Sequence, residues 1–224
     1  MIFIKNANFT HTKDLLDWRL IGMMIFLILT SIVLFYKFDR NKTKIPRHSG
    51  IVDQQNIQVN DFTEGKNRVK LVFFYTYDCG FCNIMNDNLK KIRVEYGEDV
   101  RISYNPYYLY YNDTNYLKAK YEYCASENKR EEVRGALFTG NFDQDIYSSN
   151  LSEEKVRENF LKCVSEENVN KNIELVKTQG DRLGILGVPA LIINDKFYNE
   201  GLSLQEIEII INKELKKDNA YIKF

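Results

Sequence analysis

The side chains with the most chemistry to offer in this chain are four cysteines: Cys79, Cys82, Cys124 and Cys163. Two of them form a C-x-x-C, CGFC at residues 79–82, directly after the apolar run RVKLVFFY at residues 68–75. That arrangement predicts a buried strand, a short turn at Thr76–Asp78, and a helix that begins at the first cysteine. A thiolate is the nucleophile of thiol–disulfide exchange, and the free amides and positive dipole end of a helix N-terminus stabilise it. Cys79, with its sulfur at the surface, would attack or be attacked, and Cys82, one turn inward, would resolve the mixed disulfide. Asp78 works the other way, because a neighbouring carboxylate disfavours a second negative charge. Two other uses of these residues are open. A structural zinc site would need Cys124 and Cys163 as its remaining ligands, but they stand 39 residues apart rather than as a second C-x-x-C knuckle. An inert disulfide at residues 79–82 is the other.

A second feature lies at Val188–Pro189, 107 residues from Cys82 to Pro189. X-Pro bonds are where cis peptides occur, and a cis proline opening a strand exposes the preceding backbone groups to an extended substrate. A proline at a strand's first residue also has a purely structural explanation. The two histidines, His11 and His48, both precede residue 49, so the body of the chain has none for a Cys–His or Ser–His–Asp mechanism or for a His-ligated metal. No cofactor and no metal are predicted. Residues 1–49 hold eight Lys/Arg against three Asp, a charge of +5, and the remainder holds 23 basic against 28 acidic residues, a charge of −5. An acidic body without a basic stripe argues against a nucleic-acid partner.

The elements that must position these residues follow from pattern. After CGFC, Met85, Leu89 and Ile92 recur on one helical face that Gly97 ends, and Val100–Tyr104 reads as a second strand, giving a strand–helix–strand unit. A helical region follows, with Leu117, Tyr121, Cys124 and Ala125 on one face. After a polar gap at residues 140–150, Val156, Phe160, Cys163 and Val164 repeat that spacing in a helix expected to start at Ser152. A further helix reaches about Leu183. GVPALIIND then gives a strand, NDK a hairpin into Phe197–Tyr198, and Ser203 with Glu206 a capping box for a last helix whose core face is Ile207, Ile210, Ile211 and Leu215.

Residues 20–36, LIGMMIFLILTSIVLFY, are seventeen residues without a charge. As a helix they would run about 26 Å, close to the hydrocarbon thickness of a bilayer. No small-residue cleavage site follows, so the segment reads as an uncleaved single-pass anchor after a tail at 1–19, with a polar linker at 37–55 and the domain at 56–224. The positive-inside rule sets Lys5, Lys13 and Arg19 before the helix against Lys37, Arg40, Lys42, Lys44 and Arg47 after it, which favours a cytoplasmic domain. The cysteine chemistry favours an extracytoplasmic one, on the periplasmic side, with the N-terminus in the cytoplasm.

Taken in order, the segments ending in YTYDCGFC, then VRISYNPYYLY, AKYEYCASENKREEVRGALF, LSEEKVRENFLKCV and LGVPALIINDKFYNEGLS resemble the DsbA-type branch of the thioredoxin superfamily. The resemblance implies an α/β, thioredoxin-like fold split by a helical insertion at about residues 112–183. It implies Cys79 as nucleophile, a cis Pro189, and a second, non-catalytic disulfide between Cys124 and Cys163, for which two buried free thiols are the alternative. It also implies a thiol–disulfide oxidoreductase that acts on cysteine-containing exported proteins and is reset by a membrane redox partner. Gly80–Phe81 looks more like the dipeptide of disulfide isomerases, whereas Val188 resembles the oxidases, so isomerase or reductase is the runner-up to oxidase. A thioredoxin-fold binding module with structural cysteines is the alternative outside enzymology.

Overall fold

The computed structural model describes residues 12–42, 50–51 and 68–221, and the chain divides into two units, Met1–Lys44 and Ile45–Phe224. His11, His48, most of the tail and residues 43–49 and 52–55 of the expected linker lie outside the described residues.

In the first unit, helix α1 spans Thr12–Lys42, so it continues six residues into the segment expected to be linker. Its described apolar side chains from Leu20 to Leu34 are all exposed, at 49–67%. The Thr30 and Ser31 hydroxyls donate to the carbonyls of Leu27 and Ile28, which satisfies the two polar side chains of that stretch within the helix. Among the described residues no helix is long and apolar enough to cross a membrane. The expected span at residues 20–36 is therefore not met there; the side chains of Arg19, Phe35 and Tyr36 at its edges lie outside the described residues.

The second unit is built on a five-stranded sheet of order β1-β5-β4-β2-β3. Its strands are β1 (Gly50–Ile51), β2 (Val69–Tyr75), β3 (Val100–Pro106), β4 (Ala190–Ile193) and β5 (Lys196–Tyr198). Central β2 pairs in parallel with β3, Phe73 opposite Tyr104, and antiparallel with β4, Phe74 opposite Ala190. Only Lys70 of β2 is exposed, because both faces of the sheet are covered and the strand reads as a continuous apolar run rather than an alternation. On one face Leu71, Phe73 and Tyr75 join Met85, Leu89 and Ile92 of α2 (Gly80–Tyr96) and Ile207, Ile210 and Ile211 of α8 (Leu204–Tyr221). On the other, Val72 and Phe74 pack with Tyr107, Val176 and Ile185. Gly97 closes α2 at φ 51° and ψ −125°, a positive-φ conformation that glycine adopts without penalty.

Between β3 and β4 lie α3 (Asp113–Cys124), α4 (Arg130–Thr139), α5 (Gln144–Ser149), α6 (Glu154–Ser165) and α7 (Glu167–Arg182). Three details depart from the sequence reading. The stretch read as a polar gap contains α5, held by the Asp143 carboxylate accepting from the amides of Asp145 and Ile146 and by Tyr147 against Phe142 and Phe160. A single capped turn anchored by one ring leaves no periodicity to read. Helix α6 starts after Glu153, not Ser152, and without a side-chain cap. The buried positions of α3 are Asn115, Ala119 and Glu122, while Leu117 is 42% exposed. Polar residues take the inner face there because each has a partner inside, described below.

The capping box of α8 forms in both directions: the Ser203 amide donates to the Glu206 carboxylate at 2.8 Å, and the Glu206 amide to the Ser203 hydroxyl at 3.3 Å. The β4–β5 hairpin turns on Asn194, φ 53°, and Asp195, and Asn194 and Lys196 both donate to Glu214 of α8.

Candidate active site

Strand β2 ends at Tyr75, and after the turn at Thr76–Asp78 the chain enters α2 with Cys79 as its N-cap. Cys79 is extended, φ −108° and ψ 107°, so its sulfur folds over the first turn and accepts from the Cys82 amide at 3.1 Å. No acidic residue occupies the first turn of α2, so nothing there offsets the positive end of the helix dipole. Cys79 and Cys82 are joined as a disulfide with their Cα atoms 5.1 Å apart. Cys82 is fully buried in the core under the sheet, whereas Cys79 is half-buried. An incoming thiolate thus reaches the sulfur of Cys79 and not that of Cys82.

The Val188–Pro189 peptide is cis and stands where the chain enters β4. The carbonyl oxygen of Val188 lies 3.7 Å from the Cys79 sulfur, although 109 residues separate them. Pro189 is buried and Val188 half-buried, so the backbone beside the sulfur belongs to Val188. Phe81 and Leu186, 74% and 82% exposed, present apolar side chains in the two segments that meet here. A half-buried sulfur beside a backbone carbonyl can exchange with an incoming thiolate.

Behind the motif stands a polar stripe of α3 that the apolar periodicity of the sequence did not reveal. Asn115, Lys118 and Glu122 fall at i, i+3 and i+7, one face of a helix, and all meet the segment Tyr75–Asp78. Asn115 donates to one Asp78 carboxylate oxygen at 2.8 Å and Lys118 to the other at 3.2 Å. The Tyr75 and Tyr77 hydroxyls donate to Glu122 at 2.6 and 2.9 Å, and the Arg134 guanidinium donates to its other oxygen at 2.7 Å. Both charges of that ion pair are buried, 2% and 4% exposed, and the guanidinium lies over the Tyr104 ring, 3.4 Å from its centre. Burial, with Glu122 adding to it, holds the Tyr75 and Tyr77 phenols well above their ordinary range, so both remain donors to the carboxylate. The visible signal was the polar i, i+3, i+7 set itself, read against a strand end rich in tyrosine.

Cys124 and Cys163 form a second disulfide, Cα atoms 5.7 Å apart, that joins the end of α3 to α6. Each cysteine pair is bonded within itself, which is the opposite of a four-sulfur zinc site. Of the tyrosines from 104 to 111, Tyr104, Tyr107 and Tyr108 are core, and Tyr110 and Tyr111 are exposed.

A family model described as thioredoxin matches residues 64–213. Among solved structures, oxidised BdbD from Bacillus subtilis is 22% identical with a TM-score of 0.57, and the match covers 75% of this chain and 98% of that one. The α-DsbA1 of Wolbachia pipientis is 16% identical at a TM-score of 0.56, covering 80% and 96%. Reduced DsbA1 from Neisseria meningitidis is 15% identical at 0.52, covering 77% and 99%. No curated protein matches the chain. The chain therefore belongs to the thioredoxin family, and its fold is that of the DsbA-type thiol–disulfide oxidoreductases.

Proposed function

We propose that this chain is a membrane-anchored oxidase that passes the Cys79–Cys82 disulfide to newly exported proteins. The observation that carries the reading is the half-exposed Cys79 sulfur at the start of α2, 3.7 Å from the Val188 carbonyl, with its bonded partner Cys82 sealed in the core. A substrate thiolate attacks Cys79, the bond to Cys82 breaks, and Cys82 leaves with the electron pair and takes a proton. A second substrate thiolate then attacks the substrate sulfur of the mixed disulfide, and Cys79 leaves as a thiolate. Two electrons have moved from the substrate dithiol to the enzyme, the substrate's protons having passed to solvent and one to Cys82, and a membrane-bound redox partner removes the electrons to restore the disulfide. Val188 and Pro189 hold the substrate backbone during the exchange, and the Cys124–Cys163 disulfide has a structural role.

The anchor rests on the sequence, with seventeen uncharged residues from Leu20 to Tyr36, and on the exposed apolar surface of α1. The two disulfides support an oxidising, extracytoplasmic compartment for the domain, against the charge count of the flanking segments.

The test is the reduction potential of the Cys79–Cys82 pair in the detergent-solubilised full chain, equilibrated with glutathione buffers and read by alkylation and peptide mass. A value near about −120 mV is that of a disulfide donor. A value near about −270 mV is that of a reductase and overturns the oxidase reading in favour of electron flow in the other direction, the choice that the Gly80–Phe81 dipeptide would suit. Replacing Cys79→Ser abolishes all thiol exchange if the chain is an enzyme, and leaves its function intact if the fold serves only as a binding module.

A further inference from the structure

The residue immediately before the reactive cysteine is an acid, and an acid there opposes the thiolate that the chemistry needs. The fold does not leave this carboxylate alone. Asn115 and Lys118, both on α3 of the helical insertion, reach 37 and 40 residues back to it, one to each oxygen. Lys118 is well covered, its side chain 20% exposed, and its ammonium stands 5.9 Å from the centre of the Tyr77 ring. Asn115 is nearly buried at 8%. The lysine is held by a ring, a carboxylate and the helix beneath it, while the Asp78 side chain is 52% exposed, so the pair is partly solvated and its field is salt-sensitive.

An exposed carboxylate, Glu200, precedes Gly201, which lies against Pro189. Residues 80–86 of α2 and 184–189 before β4 contain no charge. On α3, Asp113 lies in the first turn, and Glu122 is taken up by Arg134 and the two tyrosines. Asp78 adjoins Cys79 in the chain, and Lys118 is the cation paired with it.

We propose that Lys118 and Asn115 are positioning residues of the thiol exchange: they hold and neutralise the Asp78 carboxylate, so that the charge beside Cys79 does not oppose its thiolate. This inference rests on the proposed oxidoreductase reading and deepens it. The leaving ability of Cys79 in the second half of the exchange depends on how well its thiolate is stabilised, so the helical insertion acts on the motif through this couple. The couple also explains how a chain can carry an acid at the N-terminal side of its nucleophile and still use it.

The test uses the reduced full chain in detergent and reads thiolate formation at Cys79 by ultraviolet absorbance against pH, with iodoacetamide rates as a second readout. Lys118→Met is expected to raise the Cys79 thiol pKa by about half a unit to one unit at low salt and to slow alkylation near neutral pH correspondingly, about three- to tenfold. Asp78→Asn is expected to lower it by a similar amount. The double variant, which removes both charges, is expected to return close to the unmodified protein, and Lys118→Arg to behave like it. Opposite shifts that cancel in the double variant are what a merely mechanical clamp cannot produce. If Lys118→Met and Asp78→Asn alter thermal stability but leave the titration of Cys79 unmoved, the inference is overturned while the exchange reaction stands. Should Lys118→Met fail to fold, Asp78→Asn alone decides, since an unmoved thiol there has the same meaning. An unmodified chain that carries out no thiol exchange sinks the oxidoreductase reading instead, whatever the titration reports.

Discussion

At the scale of single residues, the two cysteines of CGFC differ in one property that matters: Cys82 has no exposure and Cys79 does. That difference assigns them unequal parts in the exchange, because attack requires access to the sulfur in line with the bond it breaks. Cys82→Ser should therefore retain the attacking thiol and lose the one that resolves, and mixed disulfides with substrate proteins should accumulate on non-reducing gels, whereas Cys79→Ser should give none. The buried pair Glu122–Arg134 is a different kind of residue feature. Two charges at 4% and 2% exposure are tolerable only because every carboxylate oxygen is occupied, by Tyr75 and Tyr77 on one side and the guanidinium on the other. Neither residue advertises itself in the sequence, since a glutamate and an arginine twelve positions apart in helical segments read by default as solvated faces.

At the scale of elements, two contacts decide whether helices stay on the sheet. Helix α7 lies against Tyr107, and a Cβ on its Gly180 would overlap the Tyr107 ring. The ring cannot easily yield, because its hydroxyl donates to Asp181 at 2.9 Å and lies 3.3 Å from the Ile185 carbonyl. Gly180→Ala, which in an open helix would help slightly, should here cost about 1–3 kcal/mol, read as a fall in chemical-denaturation midpoint. Helix α8 is tied to the β4–β5 hairpin through Glu214. Burial pushes that carboxyl up, but hydrogen bonds from Lys196, Lys217 and Asn194 outweigh it and hold the group down at about 2, against an ordinary 4.5. A folded-state value below the unfolded one gives stability that is fully present above about pH 4.5 and is lost as pH falls through about 2. Unfolding curves from pH 7 to pH 2 should show Glu214→Gln less stable by about 1–3 kcal/mol at neutral pH, with the gap to the unmodified protein closing below pH 4.5. A gap that stays constant with pH would mean that the carboxylate's charge is not what holds the hairpin.

At the scale of the whole molecule, the proposed anchor and the proposed oxidase make opposite demands on topology if the flanking charges rule, since five Lys/Arg follow the apolar run and three precede it. Protease added to intact spheroplasts should digest residues 68–221 while sparing a cytoplasmic marker; protection of the domain would reverse the topology and with it the oxidising role. The sequence by itself determined a good deal here. The run RVKLVFFY into CGFC, the Met85–Leu89–Ile92 face and the Ser203–Glu206 box each depend on neighbours within a turn or a strand, and each formed as read, because such local signals reflect backbone geometry and the side of an element that must be dry. The sulfur–carbonyl contact across 109 residues, the inward face of α3 with its Asn115, Lys118 and Glu122, and the short α5 were decided by the tertiary structure alone. On α3 the physical reason is plain: Asn115 and Glu122 turn inward to partners that wait there. Those partners are supplied by distant segments whose arrival no local pattern records.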